Sequence, residues 1–144
     1  MSPALKSQFA DYAAHHQSRG NQLCHYLGIP LIVLTLFALL SKVSLLEIGG
    51  WSVTPAELLL LGALAYYLTL DRALAALMLV VSILLLGAGR FLPLGWAVGL
   101  FALGWAIQLI GHSAFERRAP AFLHNLTHLL IGPLWILAKT TKRA

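Results

Sequence analysis

Charge is what this sequence has least of. Only 10% of its 144 residues are Asp, Glu, Lys or Arg, against roughly 25% in an ordinary soluble domain. So little ionic surface excludes a water-soluble globule. A single cysteine, Cys24, excludes an internal disulfide, so helix packing has to hold the fold together. Acidic residues number five against ten Lys and Arg, a net charge of +5 with His neutral. The basic side chains are scattered at segment ends without interleaved aromatics, which argues against a nucleic-acid partner. No HExxH occurs, which disfavours a zinc protease.

What the chain does have is apolar length. Hydrophobic residues make up 59% of it and the mean hydropathy is +0.80. Residues 55–70 carry Glu57 as their one charge and residues 73–89 carry none, so these runs belong in lipid. The expected fold is an all-α integral membrane bundle forming a single domain over 1–144, with about four transmembrane helices. An N-terminal amphipathic helix precedes them, and a re-entrant or interfacial helical segment follows.

Ser2 and Pro3 open the leader helix, by a capping hydroxyl and a proline where no amide is needed, and Gly20 is its expected stop. Leu5, Phe9, Tyr12 and His16 follow at steps of four, three and four along one stripe, whereas His15 points about 100° away from His16 and is expected to be solvated. The polar leader reads as mature protein, not as a cleavable signal. Asn21 is the expected cap of the first span, which carries His25 and runs to about Leu40, with Pro30 near its start or kinking it. Gly49, Gly50 and Pro55 break the chain before a second span, Ala56 to Leu70. Asp71 and Arg72 turn it into a third, Ala73 to Gly89. A fourth runs from Pro93 and Gly95 to about Gly111, with Gly95, Gly99 and Gly104 expected to permit close helix approach.

The last apolar stretch, Ala121 to Ala138, contains His124, Asn125, His128 and a Gly132–Pro133 break. If it returns or lies at the interface, Lys6, Arg19, Arg72, Arg117, Arg118, Lys139, Lys142 and Arg143 share one side, leaving Lys42 and Arg90 on the other, eight to two. If it crosses, the split is five to five. The positive-inside rule therefore favours four spans with both termini cytoplasmic.

All six histidines lie towards the two ends of the sequence, with none between Tyr26 and Gly111. Four crossings return the chain to its starting face as it reaches His112, so the two groups meet at one membrane surface. A lone interfacial histidine is more often a satisfied hydrogen-bonding residue than a ligand, but several converging imidazoles suit Fe, Zn, Cu or Ni. His112 and Glu116 are four apart, as are His124 and His128, so each pair can share a helix face. Gln108, one turn before His112, is either a packing group or a pocket contact. Arg117 and Arg118 read as topology anchors, Tyr66 and Tyr67 as interfacial aromatics, and Cys24 as packing.

The series Tyr12, His16, Asn21, His25, Gly28 and Pro30, followed by Gln108, Gly111–His112, Phe115 to Arg118, Pro120–Ala121, Asn125–Leu126 and Gly132–Pro133, resembles the small 2-hydroxy fatty acid dioxygenases related to the yeast enzyme of phytosphingosine α-oxidation. The resemblance spans nearly the whole chain. It implies an Fe(II)-dependent enzyme of the endoplasmic reticulum membrane or, for a bacterial relative, the inner membrane. The implied reaction uses O2 to shorten a long-chain 2-hydroxy fatty acid by one carbon, releasing CO2. It implies His16, His25 and His112 as metal ligands, with His124 or His128 completing the shell and Glu116 as a ligand or an orienting group. Membrane lipid and a homo-oligomer are further compatible partners. Two other classes stand beside it, a metal or haem carrier without catalysis and a lipid-binding membrane scaffold. Fatty acid desaturases and hydroxylases fit poorly, since no HxxHH box is present.

Overall fold

The computed structural model describes residues 1–123 and 125–143. Helix α1, Pro3–Ala14, starts where Ser2 Oγ accepts from the Leu5 amide at 3.2 Å. It ends at Ala14, well before Gly20. Helix α2, Arg19–Leu40, is capped by Ser18, whose Oγ accepts from the Asn21 amide at 3.2 Å. Gly20 is thus a first-turn residue of α2 and Asn21 is not its cap. Glycine stands there for space, since a Cβ would run into the Phe115 ring. Helix α2 continues through Pro30.

Two short strands follow that were not expected, β1 (Leu46–Ile48) and β2 (Trp51–Val53), paired antiparallel with Leu46 opposite Val53. Gly49 and Gly50 have φ of +56° and +80°, the left-handed pair that a two-residue hairpin turn requires. The signal was a Gly-Gly pair between β-forming triplets. Helix α3, Pro55–Leu70, opens with a capping box in which the Thr54 amide donates to Glu57 Oε2 at 2.8 Å. Asp71 caps helix α4, Arg72–Phe91, through the Leu74 amide at 2.9 Å. Helix α5, Leu94–Ile110, runs on as a π-turn over Gly111–Glu116, ended by Arg117 in the left-handed region at φ 53°. A 3-10 turn at Ala121–Leu123 leads to helix α6, Thr127–Thr140.

Three helices, Arg19–Leu40, Arg72–Phe91 and Leu94–Glu116, are long and apolar enough to cross a membrane. Helix α3, at 16 residues, extends about 24 Å, a little short of a hydrocarbon core of about 30 Å. The four helices α2 to α5 alternate in direction. At one end Arg90 reaches Glu57 Oε1 at 2.5 Å and the Ser52 carbonyl at 2.9 Å, while Lys42 Nζ donates to the Arg90 carbonyl at 3.2 Å. At the other, the Met1 amino group meets Asp71 Oδ2 at 2.9 Å.

The larger buried core is at this second end. There Leu5, Phe9 and Tyr12 of α1 pack with Ile131, Leu134 and Trp135 of α6 onto Tyr67, Leu70 and Leu74. Elsewhere the bundle presents large apolar side chains outward, among them Leu58, Val80, Leu84 and Trp96, the reverse of a soluble surface and the expected dress of helices in lipid. Gly104 does lie at the α2 crossing, where an added Cβ would meet Ile32 at 2.8 Å and the Gly28 carbonyl at 3.3 Å. Among the described residues nothing on a neighbouring element lies within 4 Å of a Cβ at Gly95 or Gly99, so there Gly104 alone of the three expected contact glycines performs that task.

Candidate metal centre

His16 sits just past the end of α1, His25 in the second turn of α2, and His112 in the π-turn that ends α5. All three are buried. Each offers one ring nitrogen such that the three lie within 4.8 Å of one another, and ring centroids are separated by 4.3 Å (16–25), 5.0 Å (16–112) and 4.9 Å (25–112). A π-turn carries one extra residue per turn and recurs at functional sites; here His112 projects from it.

The backbone sets the tautomers. His16 Nδ1 donates to the Tyr12 carbonyl at 2.6 Å, and His25 Nδ1 donates to the Asn21 carbonyl at 2.9 Å. A carbonyl only accepts, so each neutral ring carries its proton on Nδ1 and a bare lone pair on Nε2. Those two Nε2 atoms face each other at 2.9 Å. Two lone pairs at that distance repel unless a cation lies between them. Burial and the neighbouring His25 push His16 down to about 3, which works against a proton in that place. Two nitrogens bound at about 2.1 Å and at right angles lie about 3 Å apart, so the pair fits a first-row metal. The donor set of neutral imidazoles suits Fe, Zn, Cu or Ni alike.

The other expected residues fall in distinct places. Glu116 is outside the three-nitrogen cluster. Its Oε1 accepts from the Ser18 amide at 2.7 Å and from Asn21 Nδ2 at 3.4 Å, tying the π-turn to the start of α2. Gln108 is buried, and among the described residues its Nε2 has no hydrogen-bond partner. His128 is buried too, but its Nε2 meets Asp11 Oδ2 at 2.7 Å and stands apart from the cluster. His124 lies outside the described residues. His15 is half-exposed, and Cys24 packs near Gly111.

The three histidines open onto a cavity of about 280 Å3, close to the lower end of the range for ligand pockets. Gln108 and His128 share its polar end. Ile29, Ile32, Val33 and Leu36, spaced along one face of α2, form its apolar wall opposite Phe101 and Trp105 of α5. From His25 to Leu36 the wall descends about 16 Å along the helix axis.

A family model described as 2-hydroxy-palmitic acid dioxygenase Mpo1-like matches residues 3–144. The chain belongs to the Mpo1-like family. Among curated proteins it is 28% identical over 134 residues to the 2-hydroxy-palmitic acid dioxygenase MPO1 of Saccharomyces cerevisiae, a match that covers 92% of this chain and 77% of the yeast one. No solved structure matches it. In this Mpo1-like chain Tyr12, expected on the stripe of His16, stacks its ring on His16 at 4.0 Å, whereas Asp11 at the His128 ring is a site neighbour that spacing did not single out. Asp11 and His128 are 117 residues apart, and no local pattern links them.

Gly28 is a point of close approach between α2 and α5. A Cβ there would fall 2.6 Å from Gln108 Nε2 and 3.0 Å from the Gly104 carbonyl. Gly28→Ala is expected to displace the Gln108 amide, spread α2 from α5 and destabilise the fold by about 1–3 kcal/mol. Thermal unfolding in detergent checks this, with Gly62→Ala, where nothing lies within 4 Å, as the control.

Proposed function

We propose that this chain is an Fe(II)-dependent dioxygenase that converts a long-chain 2-hydroxy fatty acid and O2 into the acid one carbon shorter, CO2 and water. The reaction balances without an outside reductant, since all four electrons that O2 accepts come from the substrate. The observation that carries the reading is the pair of bare Nε2 atoms of His16 and His25, 2.9 Å apart with His112 beside them, at the polar end of an apolar cavity. The family membership and the name of the yeast relative support the substrate class.

In this reading His16, His25 and His112 hold the metal. Bound iron supplies the redox and O2 chemistry that protein side chains lack. The chain supplies position. Gln108 Nε2, buried without a partner, donates to the substrate's head group, since a buried amide left unpaired costs stability that a ligand recovers. The walls of α2 and α5 take the acyl tail and keep water from the head. Glu116 acts at one remove, by holding the π-turn and the start of α2 in register. The bundle lies in the membrane with the metal centre at its cytoplasmic face and both termini on that side, as the eight-to-two distribution of basic residues favours. Helix α6, at 14 residues about 21 Å long, is too short to cross and lies along that interface with α1.

Anaerobic reconstitution of the detergent-purified protein with Fe(II), followed by a long-chain 2-hydroxy fatty acid and O2 with mass-spectrometric product analysis, tests the reading. A product one carbon shorter is expected. Stoichiometric iron with no conversion at any chain length would favour a carrier. Leu36 stands at the far end of the α2 wall, so Leu36→Trp is expected to lower kcat/KM for the longest acids by about 10-fold or more while leaving shorter ones within about threefold. Equal losses at every length would place the tail elsewhere.

A further inference from the structure

His128 and Asp11 form a pair outside the histidine cluster. Asp11 lies in the last turn of α1 and His128 in the first turn of α6, and His128 Nε2 and Asp11 Oδ2 are 2.7 Å apart. A carboxylate only accepts, so Nε2 carries the ring's proton and Nδ1 is left as a bare acceptor. The ring is 6% exposed, and among the described residues its buried Nδ1 has no hydrogen-bond partner. An unpaired buried acceptor weakens a fold and gives it nothing in return. Yet this ring lines the same cavity as the three histidines, against Tyr12 at 5.5 Å between centroids, and Tyr12 in turn stacks on His16. The Asp11 side chain is half-exposed, with His15 the neighbouring titratable group, its Nδ1 3.8 Å from Asp11 Oδ1 and its ring 5.7 Å from that of His128. A carboxylate at the surface, an imidazole beneath it and a substrate cavity below make the arrangement of an oriented general base.

We propose that His128 is a catalytic residue whose Nδ1 takes the proton of the substrate's 2-hydroxyl group, with Asp11 as the positioning residue that sets its tautomer. This rests on the dioxygenase reading above. As carbon two is oxidised to the new carboxyl carbon, its O–H bond breaks. The electron pair stays on oxygen, the proton passes to Nδ1, and the resulting imidazolium remains hydrogen-bonded to Asp11. The proton then returns to the water formed in the same turnover. No oxidant other than O2 is required.

Three variants of the full chain in detergent separate this role from packing and from metal binding. His128→Gln keeps an acceptor that cannot take a proton, His128→Leu keeps neither, and Asp11→Asn frees the tautomer. All three are expected to retain wild-type iron stoichiometry. Both His128 variants should lose on the order of 100-fold in kcat and Asp11→Asn about 10-fold.

Binding to the redox-inert Zn(II)-loaded protein gives a readout independent of turnover. The preference for a 2-hydroxy acid over the unsubstituted acid of equal length should persist in His128→Gln and fall about 10-fold in His128→Leu. Loss of iron from His128→Gln would make His128 a ligand and overturn the proposal. So would wild-type kcat in both His128→Gln and Asp11→Asn, an outcome that leaves the dioxygenase reading standing. A wild-type protein that converts no 2-hydroxy acid would overturn that reading and this proposal with it. If the His128 variants fail to fold, Asp11→Asn decides, since it changes a half-exposed side chain at constant shape.

Discussion

His112→Ala is expected to abolish metal retention and turnover while leaving the helical bundle folded. Two nitrogens remain, but the His16 and His25 lone pairs then face each other at 2.9 Å with only two ligands to hold a cation between them. Replacing even an outer-shell partner of a metal site typically costs 10–100-fold in affinity, so the loss of one of the three proposed ligands should exceed about 100-fold. The effect can be read without catalysis. A metal that binds the folded state stabilises it by about 2.7 kcal/mol at a hundredfold excess over Kd, so Zn(II) or Fe(II) should raise the melting temperature of the wild type and leave His112→Ala unmoved. His16→Ala and His25→Ala should behave alike, with the apo variants relieved of the lone-pair repulsion. Wild-type metal content in well-folded His112→Ala would remove His112 from the centre.

Glu116→Ala is expected to weaken metal binding by about 10–100-fold although the carboxylate stands outside the nitrogen cluster. Its Oε1 accepts from the Ser18 amide and from the Asn21 side chain, and the Asn21 carbonyl is what holds His25 Nδ1. Cutting the clamp frees the π-turn that carries His112 from the helix start that carries His25. The two histidines then lose their fixed separation. Glu116→Gln keeps an acceptor oxygen and should recover most of the affinity, a rescue that a ligand role for the charged carboxylate would not allow. Competition titration against a chromophoric chelator measures both variants, and an unchanged Glu116→Ala would show that the clamp is dispensable.

The long-range content of the sequence was readable where it depended on periodicity and composition. Uninterrupted apolar runs separated by polar turns determine long apolar helices, three of them long enough to cross a membrane, because lipid leaves backbone amides no partner but one another. Four helices that alternate in direction are enough to bring His16 and His25 to the end where the chain arrives at His112. Short-range details were less legible. Gly20 reads as a helix stop, yet it is inside α2 because Ser18 caps that helix, and it is glycine because the Phe115 ring occupies the space a side chain would need. The hairpin at residues 46–53 is carried by a Gly-Gly pair whose signal the surrounding apolar runs obscured.

What the sequence by itself determined is the class of molecule, the helical segments and the residue types available for a metal. Only the tertiary structure decided which of those residues converge. The π-turn turns His112 inward and sends Glu116 to Ser18 and Asn21, a rotation that heptad-like spacing does not contain. Likewise, packing α1 against α6 brings Asp11 to His128 across 117 residues. Spacing along a helix fixes the direction of a side chain relative to its own axis. Its neighbours depend on how the axes are packed, and that is settled by contacts such as Gly28 on Gln108 and Gly104, between segments distant in sequence.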